Sequence, residues 1–207
     1  MWAKSKIENI FNQVLTHEAN AIDEFSTAFN HNDVEKVVNC ILKSYYSEPS
    51  RLFITGVGKS SFVARKFAST LSSIGIPTTY LCPLDAVHGG LGALRDFDMV
   101  IAFSKSGESV EILPIVERLQ HLFGTFFICI TTEPDSSLAK AANALIIYNA
   151  QECCGTGFIP TTSCTLAMAI ADGLAVSCMQ LIDFKLSNFS KFHPGGSLGK
   201  QVRECIN

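Results

Sequence analysis

The sequence predicts an α/β protein with a doubly wound parallel sheet of about five strands, flanked by helices and preceded by N-terminal helices. After Arg51, short runs rich in β-branched and aromatic residues alternate with helical patterns, as in successive βαβ units. The runs are 51–55, 78–81, 99–103, 126–130 and 144–148. Several are apolar on both faces, which is typical of parallel strands covered by helices on both sides. Ligands are therefore expected at the carboxyl ends of the strands.

Two helices are predicted ahead of the sheet. Apolar residues recur at helical spacing from about Trp2 to Phe29, and Asn32-Asp33 is a candidate cap for a second helix. We expect these helices to cover the sheet or a partner subunit. The sequence is interpreted as one domain, with a helical part over residues 1–48 and an α/β core with a C-terminal tail over residues 49–207.

Composition limits the partners of the chain. The formal net charge is -3 and the pI is near 5.9, so a nucleic-acid surface is not expected, whereas a small anion could still bind through local dipoles. The 8 cysteines show no paired metal spacing. Asp172 and Gly173 interrupt the longest apolar region, residues 166–182, which favours a buried core helix over a membrane span. No apolar leader is evident, and we expect a cytoplasmic protein.

A serine-rich loop follows the third predicted strand. Ser104, Ser106, Gly107 and Ser109 precede an amphipathic pattern over residues 112–119. Free backbone N–H groups, a helix dipole and three hydroxyls would make this junction a phosphate receptor. Alternatively, Ser109 caps the helix and the other serines are ordinary turn residues. The segment alone leaves both interpretations open.

The loop after the first strand contains Gly58, Lys59 and Ser60. It lacks the earlier glycine of a nucleotide-binding loop, because Phe53 stands there, and Ser61 stands where the dinucleotide fingerprint needs its third glycine. The glycines still allow a ligand to approach the backbone, and Lys59 adds a cation. A surface lysine beside turn glycines is the simpler interpretation of this loop alone.

Three further loops carry groups that could move protons. His88 precedes two glycines, Glu152 follows the last strand, and His193 precedes a proline-glycine turn. An acidic side chain in the apolar surroundings of Glu152 could have a raised pKa and act as a base. A structural imidazole at His88 and a flexible tail at His193 remain alternatives. Cys82 with His88 would form only half of a metal site, so no metal is expected.

Together these loops resemble the sugar isomerase (SIS) domain family and, within it, the arabinose 5-phosphate isomerases. The matching segments, in order and at family spacing, are 56–60, 86–92, 104–112, 128–131, 160–163 and 193–199. The resemblance implies a flavodoxin-like sheet and a homo-oligomer, expected to be a tetramer, with active sites near subunit interfaces. It also implies reversible conversion of D-ribulose 5-phosphate to D-arabinose 5-phosphate, which feeds synthesis of the acid sugar Kdo for lipopolysaccharide or capsule.

The resemblance also assigns roles to particular residues. It implies a catalytic set of Lys59, Glu111, Glu152 and His193, with His88 nearby. Aldose–ketose isomerisation moves a proton between C2 and C1 through an enediolate, which requires a base and an oxyanion partner but no redox cofactor. We expect Glu152 as carbon base, with His193 as the alternative base. His193 is otherwise expected to move protons between oxygens, and Glu111, in the first turn of its helix, to orient the network. The expected phosphate-binding residues are Gly58, Ser60, Ser104, Ser106, Gly107, Ser109 and Thr162.

Several positions depart from the family pattern. Lys105 adds a positive charge to the serine loop, Gly90 replaces a usual acidic residue, and Cys154-Gly155 interrupts a usual Pro-Leu pair. Members often continue into a pair of CBS domains, and we expect this chain to be a form without that pair. Two alternatives stay open: an isomerase of another ketose phosphate, and a non-catalytic sugar-phosphate sensor.

Overall fold

A computed structural model describes residues 3–47 and 49–206, and it contains a parallel sheet of five strands in the order β2-β1-β3-β4-β5. The predicted doubly wound α/β fold is therefore confirmed. The strands are β1 Leu52–Gly56, β2 Thr78–Tyr80, β3 Met99–Phe103, β4 Phe126–Thr131 and β5 Ala144–Ile147. Within the sheet, Leu52 is in register with Thr78 on one side and with Met99 on the other.

Helices precede the sheet and follow its strands. Their bounds are α1 Lys4–Ala28, α2 His31–Tyr46, α3 Lys59–Ser73, α4 Pro83–Ala86, α5 Leu113–Gln120, α6 Ser137–Ala141, α7 Thr162–Leu181, α8 Leu186–Phe192 and α9 Gly196–Ile206, with a 3₁₀ turn at Gly90–Ala93. The predicted start of the first helix at Trp2 lies outside the described residues. The cap of α2 is Asn30 rather than Asn32-Asp33, because the Asn30 side chain accepts the Asn32 N–H.

Two apolar cores lie on opposite faces of the sheet. Ile54 and Ile101 belong to one core, which α2, α3 and α7 complete. Phe53 and Val100, their neighbours along the strands, belong to the other core, which α5 covers. Successive side chains of a strand point to opposite faces, so strands that are apolar on both sides supply both cores.

By length and composition, α7 could cross a membrane. A core helix of a soluble protein passes the same test, so one such helix is weak support for a span. In this fold α7 packs against α1, α2 and α3, and its Asp172 forms an ion pair with Lys66 of α3. The buried residues of α7, among them Leu166, Ile170 and Leu174, belong to the core beside α3.

Candidate active site

The loops after β1, β3, β4 and β5 enclose a cleft of about 500 Å³. Its position at the carboxyl edge of the sheet is the one expected for a ligand site in this architecture, and its size suits a small molecule. The polar side chains that line it include Lys59, Ser60, Ser104, Lys105, Ser106 and Ser109. Hydroxyl donors and two ammonium groups make this surface suitable for an anion.

The serine loop is a tight turn that the rest of the fold holds in place. Ser104 donates its backbone N–H to Ile130 O at 3.1 Å, and its Oγ lies 2.9 Å from Ser109 Oγ. Gly107 has φ +61°, and a Cβ added there would lie 1.9 Å from Ser136 Oγ. Only glycine fits at this position without displacing the α6 cap. The three serines are thereby fixed along the wall of the cleft.

The helix after this loop begins later than predicted. Residues 110–112 form a turn, and α5 starts at Leu113 with Ile112 as its N-cap residue and no side-chain cap. Pro114 explains the start, because proline lacks a backbone donor and is favoured in the first turn of a helix. The predictions that Ser109 could cap the helix and that Glu111 lies in its first turn are therefore wrong. Glu111 is half-buried and does not line the cleft.

The loop after β1 leads directly into α3. Gly58, with φ +57°, is the N-cap residue, and Lys59 is the first residue of the helix. The positive end of the helix dipole therefore lies beside the cleft that Lys59 and Ser60 line. The exposed Lys59 ammonium lies 6.0 Å from the centroid of the Phe62 ring. Both features favour an anionic ligand.

Glu152 is buried beside the cleft and accepts five hydrogen bonds. Its side chain is 1% exposed. Oε1 accepts from Lys105 Nζ at 2.6 Å and from Ser163 Oγ at 2.5 Å. Oε2 accepts from Thr161 N at 2.8 Å, from Thr161 Oγ1 at 3.1 Å and from Ser163 N at 3.3 Å. Lys105 and Ser163 line the cleft, so this carboxylate adjoins it through its partners.

These donors overturn the prediction that the pKa of Glu152 is raised. Burial alone raises the pKa of this carboxyl, but the hydrogen bonds from Lys105, Ser163 and Thr161 stabilise the ionised form and together outweigh burial. The result is a pKa of about 2. Glu152 is therefore ionised near neutral pH and a weak base while Lys105 holds it.

Three other predicted residues do not line the cleft. His88 is exposed in the turn after α4. His193 ends α8, where its ring stacks on Phe189 at 3.8 Å between centroids. Thr162 is the first residue of α7 and is fully buried, and its Oγ1 has no hydrogen-bond partner among the described residues. The fold therefore brings Lys59, Ser60 and the serine loop together. It leaves these three side chains, Glu111 and Glu152 outside the cleft lining, although the hydrogen-bond partners Lys105 and Ser163 of Glu152 belong to it.

Some lining residues were missed from the sequence. Thr132 and Glu133 line the cleft directly after β4, and Tyr148 lines it directly after β5. Burial raises the pKa of the Tyr148 hydroxyl. The rule that ligands bind at strand ends could have found all three, because each lies at or just beyond the carboxyl end of a predicted strand.

A metal site is not formed by the residues that the structure describes. Over residues 3–47 and 49–206, no group of three or more His, Cys, Asp or Glu side chains could hold an ion. Cys82 is half-buried before α4, and His88 is exposed.

Fold and site together define a class of protein: a doubly wound α/β domain with a cationic, hydroxyl-lined cleft at the carboxyl edge of its sheet. The profile of the SIS domain matches residues 45–177. The chain therefore belongs to the SIS domain family, and the resemblance predicted from its loops is confirmed.

Individual relatives agree with this assignment. The chain is 37% identical over 191 residues to Arabinose 5-phosphate isomerase KpsF of Escherichia coli, covering 92% of this chain and 57% of the relative. It is 36% identical over 199 residues to Arabinose 5-phosphate isomerase KdsD of Escherichia coli (strain K12), covering 94% of this chain and 58% of the relative. The chain thus spans somewhat more than half the length of these curated relatives.

A solved structure extends the comparison to three dimensions. The Escherichia coli CFT073 protein c3406, in complex with arabinose 5-phosphate, superimposes with a TM-score of 0.85 and is 28% identical. The match covers 93% of this chain and 100% of that chain. A structure similar to this one is therefore known in complex with a sugar phosphate.

Proposed function

We propose that this chain is an aldose–ketose isomerase that interconverts D-ribulose 5-phosphate and D-arabinose 5-phosphate. The observation that carries the proposal is the cleft of about 500 Å³, where Lys59, Lys105 and the serine loop meet beside the buried carboxylate of Glu152. The names of the curated relatives and the sugar-phosphate complex of the similar structure support this substrate. We further infer a cytoplasmic protein that works as one domain over residues 1–207 and supplies Kdo synthesis.

In the proposed reaction, Ser104, Ser106 and Ser109 bind the phosphate group, in a loop shaped by Gly107. Gly58 and Ser60 present the start of α3 to the same anion, and Lys59 binds the phosphate or the enediolate oxygen. A base removes a proton from the carbon next to the carbonyl, and the enediolate then takes a proton at the neighbouring carbon. A proton also moves between O1 and O2, so the substrate gains and loses no atoms and no redox cofactor is required.

Glu152 is the proposed carbon base. It is ionised near neutral pH and lies beside the cleft, although its hydrogen bonds make it a weak base while Lys105 donates to it. We propose His193 for proton transfer between oxygens, Glu111 and His88 as supporting groups, and Thr162 as a residue that supports phosphate binding through α7. If Glu152→Gln retained solvent-deuterium exchange at C2 of arabinose 5-phosphate, the assignment of Glu152 would be withdrawn.

We propose that the protein is a homo-oligomer, in which another copy could bring His193 to the cleft. No residue of α1 is buried, and Ile7, Ile10, Phe11 and Leu15 are 50–64% exposed along one face. An apolar stripe of this kind favours contact with a second copy. Light scattering after size exclusion should give about four times the chain mass of 22.5 kDa. A monomer would contradict this part of the proposal.

The decisive experiment is conversion of D-ribulose 5-phosphate by the purified chain without added cofactor or metal. We expect arabinose 5-phosphate to form, with deuterium incorporated at C2 when the reaction runs in D₂O. Lys59→Ala should abolish conversion, whereas the matched control Lys185→Ala, an exposed lysine before α8, should not. Hexulose and heptulose phosphates, assayed in parallel, separate this activity from isomerisation of another ketose phosphate.

One observation favours a second candidate, a sugar-phosphate sensor without catalysis. The pKa of Glu152 is low, and neither His88 nor His193 lines the cleft. A sensor needs the phosphate site but no base. Tight binding of arabinose 5-phosphate with no conversion to ribulose 5-phosphate, measured on the same preparation, would select the sensor.

A further inference from the structure

An ion pair links the serine loop to the loop that follows β5. Lys105 Nζ lies 2.6 Å from Glu152 Oε1, although the two residues are 47 positions apart in the sequence. The Glu152 side chain is 1% exposed, whereas that of Lys105 is 39% exposed and lines the cleft. Lys105 can therefore contact both the buried carboxylate and a ligand in the cleft.

Only the side chain of Lys105 is free to change partner. The backbone carbonyl oxygen of Lys105 accepts from Thr131 Oγ1 at 2.9 Å, from Thr132 N at 3.0 Å and from Thr132 Oγ1 at 2.9 Å. These bonds fix the backbone against the end of β4. The ammonium, by contrast, is carried on a flexible four-carbon stem with three rotatable donors. A new anion in the cleft can therefore draw it away without moving the loop.

Glu152 remains satisfied when Lys105 leaves. The hydroxyl and backbone N–H of Ser163 and those of Thr161 still donate to its two oxygens. The departure therefore does not leave a buried charge without donors, which would be strongly destabilising. A phosphate ester carries a charge of about -1.5 to -2 near neutral pH, more than a carboxylate, and it would compete for the same ammonium.

The ligand here is the sugar phosphate of the proposed function, on which this inference rests, and the property that it would control is the base strength of Glu152. We propose that Lys105 is a phosphate-responsive positioning residue: the substrate phosphate takes its ammonium from Glu152 Oε1, and the oxygen thus freed becomes the proton acceptor. Removing this hydrogen bond also removes a contribution that lowers the pKa of the carboxyl. The base is thus weak in the empty cleft and becomes stronger when the phosphate site is filled.

A double-mutant cycle with inorganic phosphate tests the exchange of partners. Phosphate affinity is measured by calorimetry for the wild type, Lys105→Met, Glu152→Gln and the double variant. Glu152→Gln should tighten binding roughly 10-fold where Lys105 is present, because the ammonium no longer has a competing carboxylate. In the Lys105→Met background the gain should be at most about 2-fold, since only through-space repulsion remains.

Glu133→Gln is the matched control, because Glu133 also lines the cleft, whereas the Lys105 ammonium donates to Glu152 and not to Glu133. It should change phosphate affinity equally in both backgrounds. Equal tightening by Glu152→Gln in both backgrounds overturns the inference, as does a wild type that fails to bind phosphate.

If Glu152→Gln fails to fold, NMR of the wild type tests the exchange of partners by Lys105 instead. The ¹⁵Nζ signal of Lys105, assigned by its loss in Lys105→Met, must move when phosphate saturates the site, and an unmoved signal overturns the inference. None of these measurements needs turnover. If Glu152→Gln tightens phosphate binding only where Lys105 is present, but the protein does not convert ribulose 5-phosphate, the proposed function alone is refuted. If the protein converts ribulose 5-phosphate but the tightening does not depend on Lys105, this inference alone is refuted.

Discussion

Replacing Glu152 with glutamine should lower the free energy of unfolding near neutral pH and have a smaller effect in acid. The pKa of Glu152 is about 2 in the folded protein, compared with a reference value of 4.5. As the pH falls, the unfolded chain therefore takes up this proton first. The stabilisation is fully present above about pH 5 and is lost as the pH approaches 2.

The magnitude follows from the difference between the two pKa values. A pKa difference from 4.5 to about 2 corresponds to about 3 kcal/mol of stability. Solvent screens Lys105, whose side chain is 39% exposed, so we expect about 2 kcal/mol for the pH-dependent part. Glutamine also places an NH₂ group among donors, which adds a pH-independent loss of roughly 1 kcal/mol.

Urea denaturation followed by circular dichroism at several pH values between 3 and 7 measures both parts. The wild-type stability should fall more steeply than that of the variant between about pH 5 and 3. Glu117→Gln, an exposed position on α5, is the control and should leave both stability and slope unchanged. Parallel curves for wild type and Glu152→Gln would refute the reasoning, because they would mean that this carboxyl titrates alike in both states.

Two further predictions concern the serine loop. Ser104→Ala should raise KM for the sugar phosphate roughly 10-fold and change kcat little, because one charge-assisted hydrogen bond to phosphate is lost; steady-state kinetics would contradict this if kcat alone fell. Gly107→Ala should destabilise the fold by about 2–4 kcal/mol in urea denaturation, because φ is +61° and the new Cβ would overlap Ser136 Oγ. Gly92→Ala, where a Cβ meets nothing within 4 Å, should cost far less, and equal losses would contradict the steric argument.

Strand positions were predictable because short β-branched or aromatic runs alternate with helical patterns, and several of these runs are apolar on both faces. Helix starts were less predictable, since polar residues offer several candidate caps. Asn30 caps α2 where Asn32-Asp33 was expected, and α5 begins at Leu113 where an earlier start was expected. Pro114 carried the missing signal. Periodicity identifies the buried face of a helix, whereas its first residue depends on local hydrogen bonding.

That the loops meet in one cleft was predictable, whereas the low pKa of the buried Glu152 carboxylate was not. Loops at the ends of parallel strands must meet, so Lys59, Ser104 and Ser106 could be placed together from their positions in the sequence. Burial of Glu152 was also expected, and burial alone raises a carboxyl pKa. The donors that reverse the effect come mainly from Lys105, on another loop, and from Ser163, at the start of α7. Their contact exists only in the tertiary structure.

The contact between Lys105 and Glu152 also bears on the choice between enzyme and sensor. A cleft that binds a phosphate beside an unpaired carboxylate would lose affinity to repulsion. A lysine that neutralises the carboxylate in the empty site removes this repulsion but weakens the base. Transfer of the Lys105 ammonium to the phosphate meets both requirements, because the ammonium then neutralises charge on the phosphate and the Glu152 carboxylate becomes free to act as the base. In a sensor the same lysine could stay on Glu152 without loss. Movement of Lys105 on phosphate binding is therefore of use to catalysis and not to sensing, while conversion of ribulose 5-phosphate is the measurement that separates the two functions.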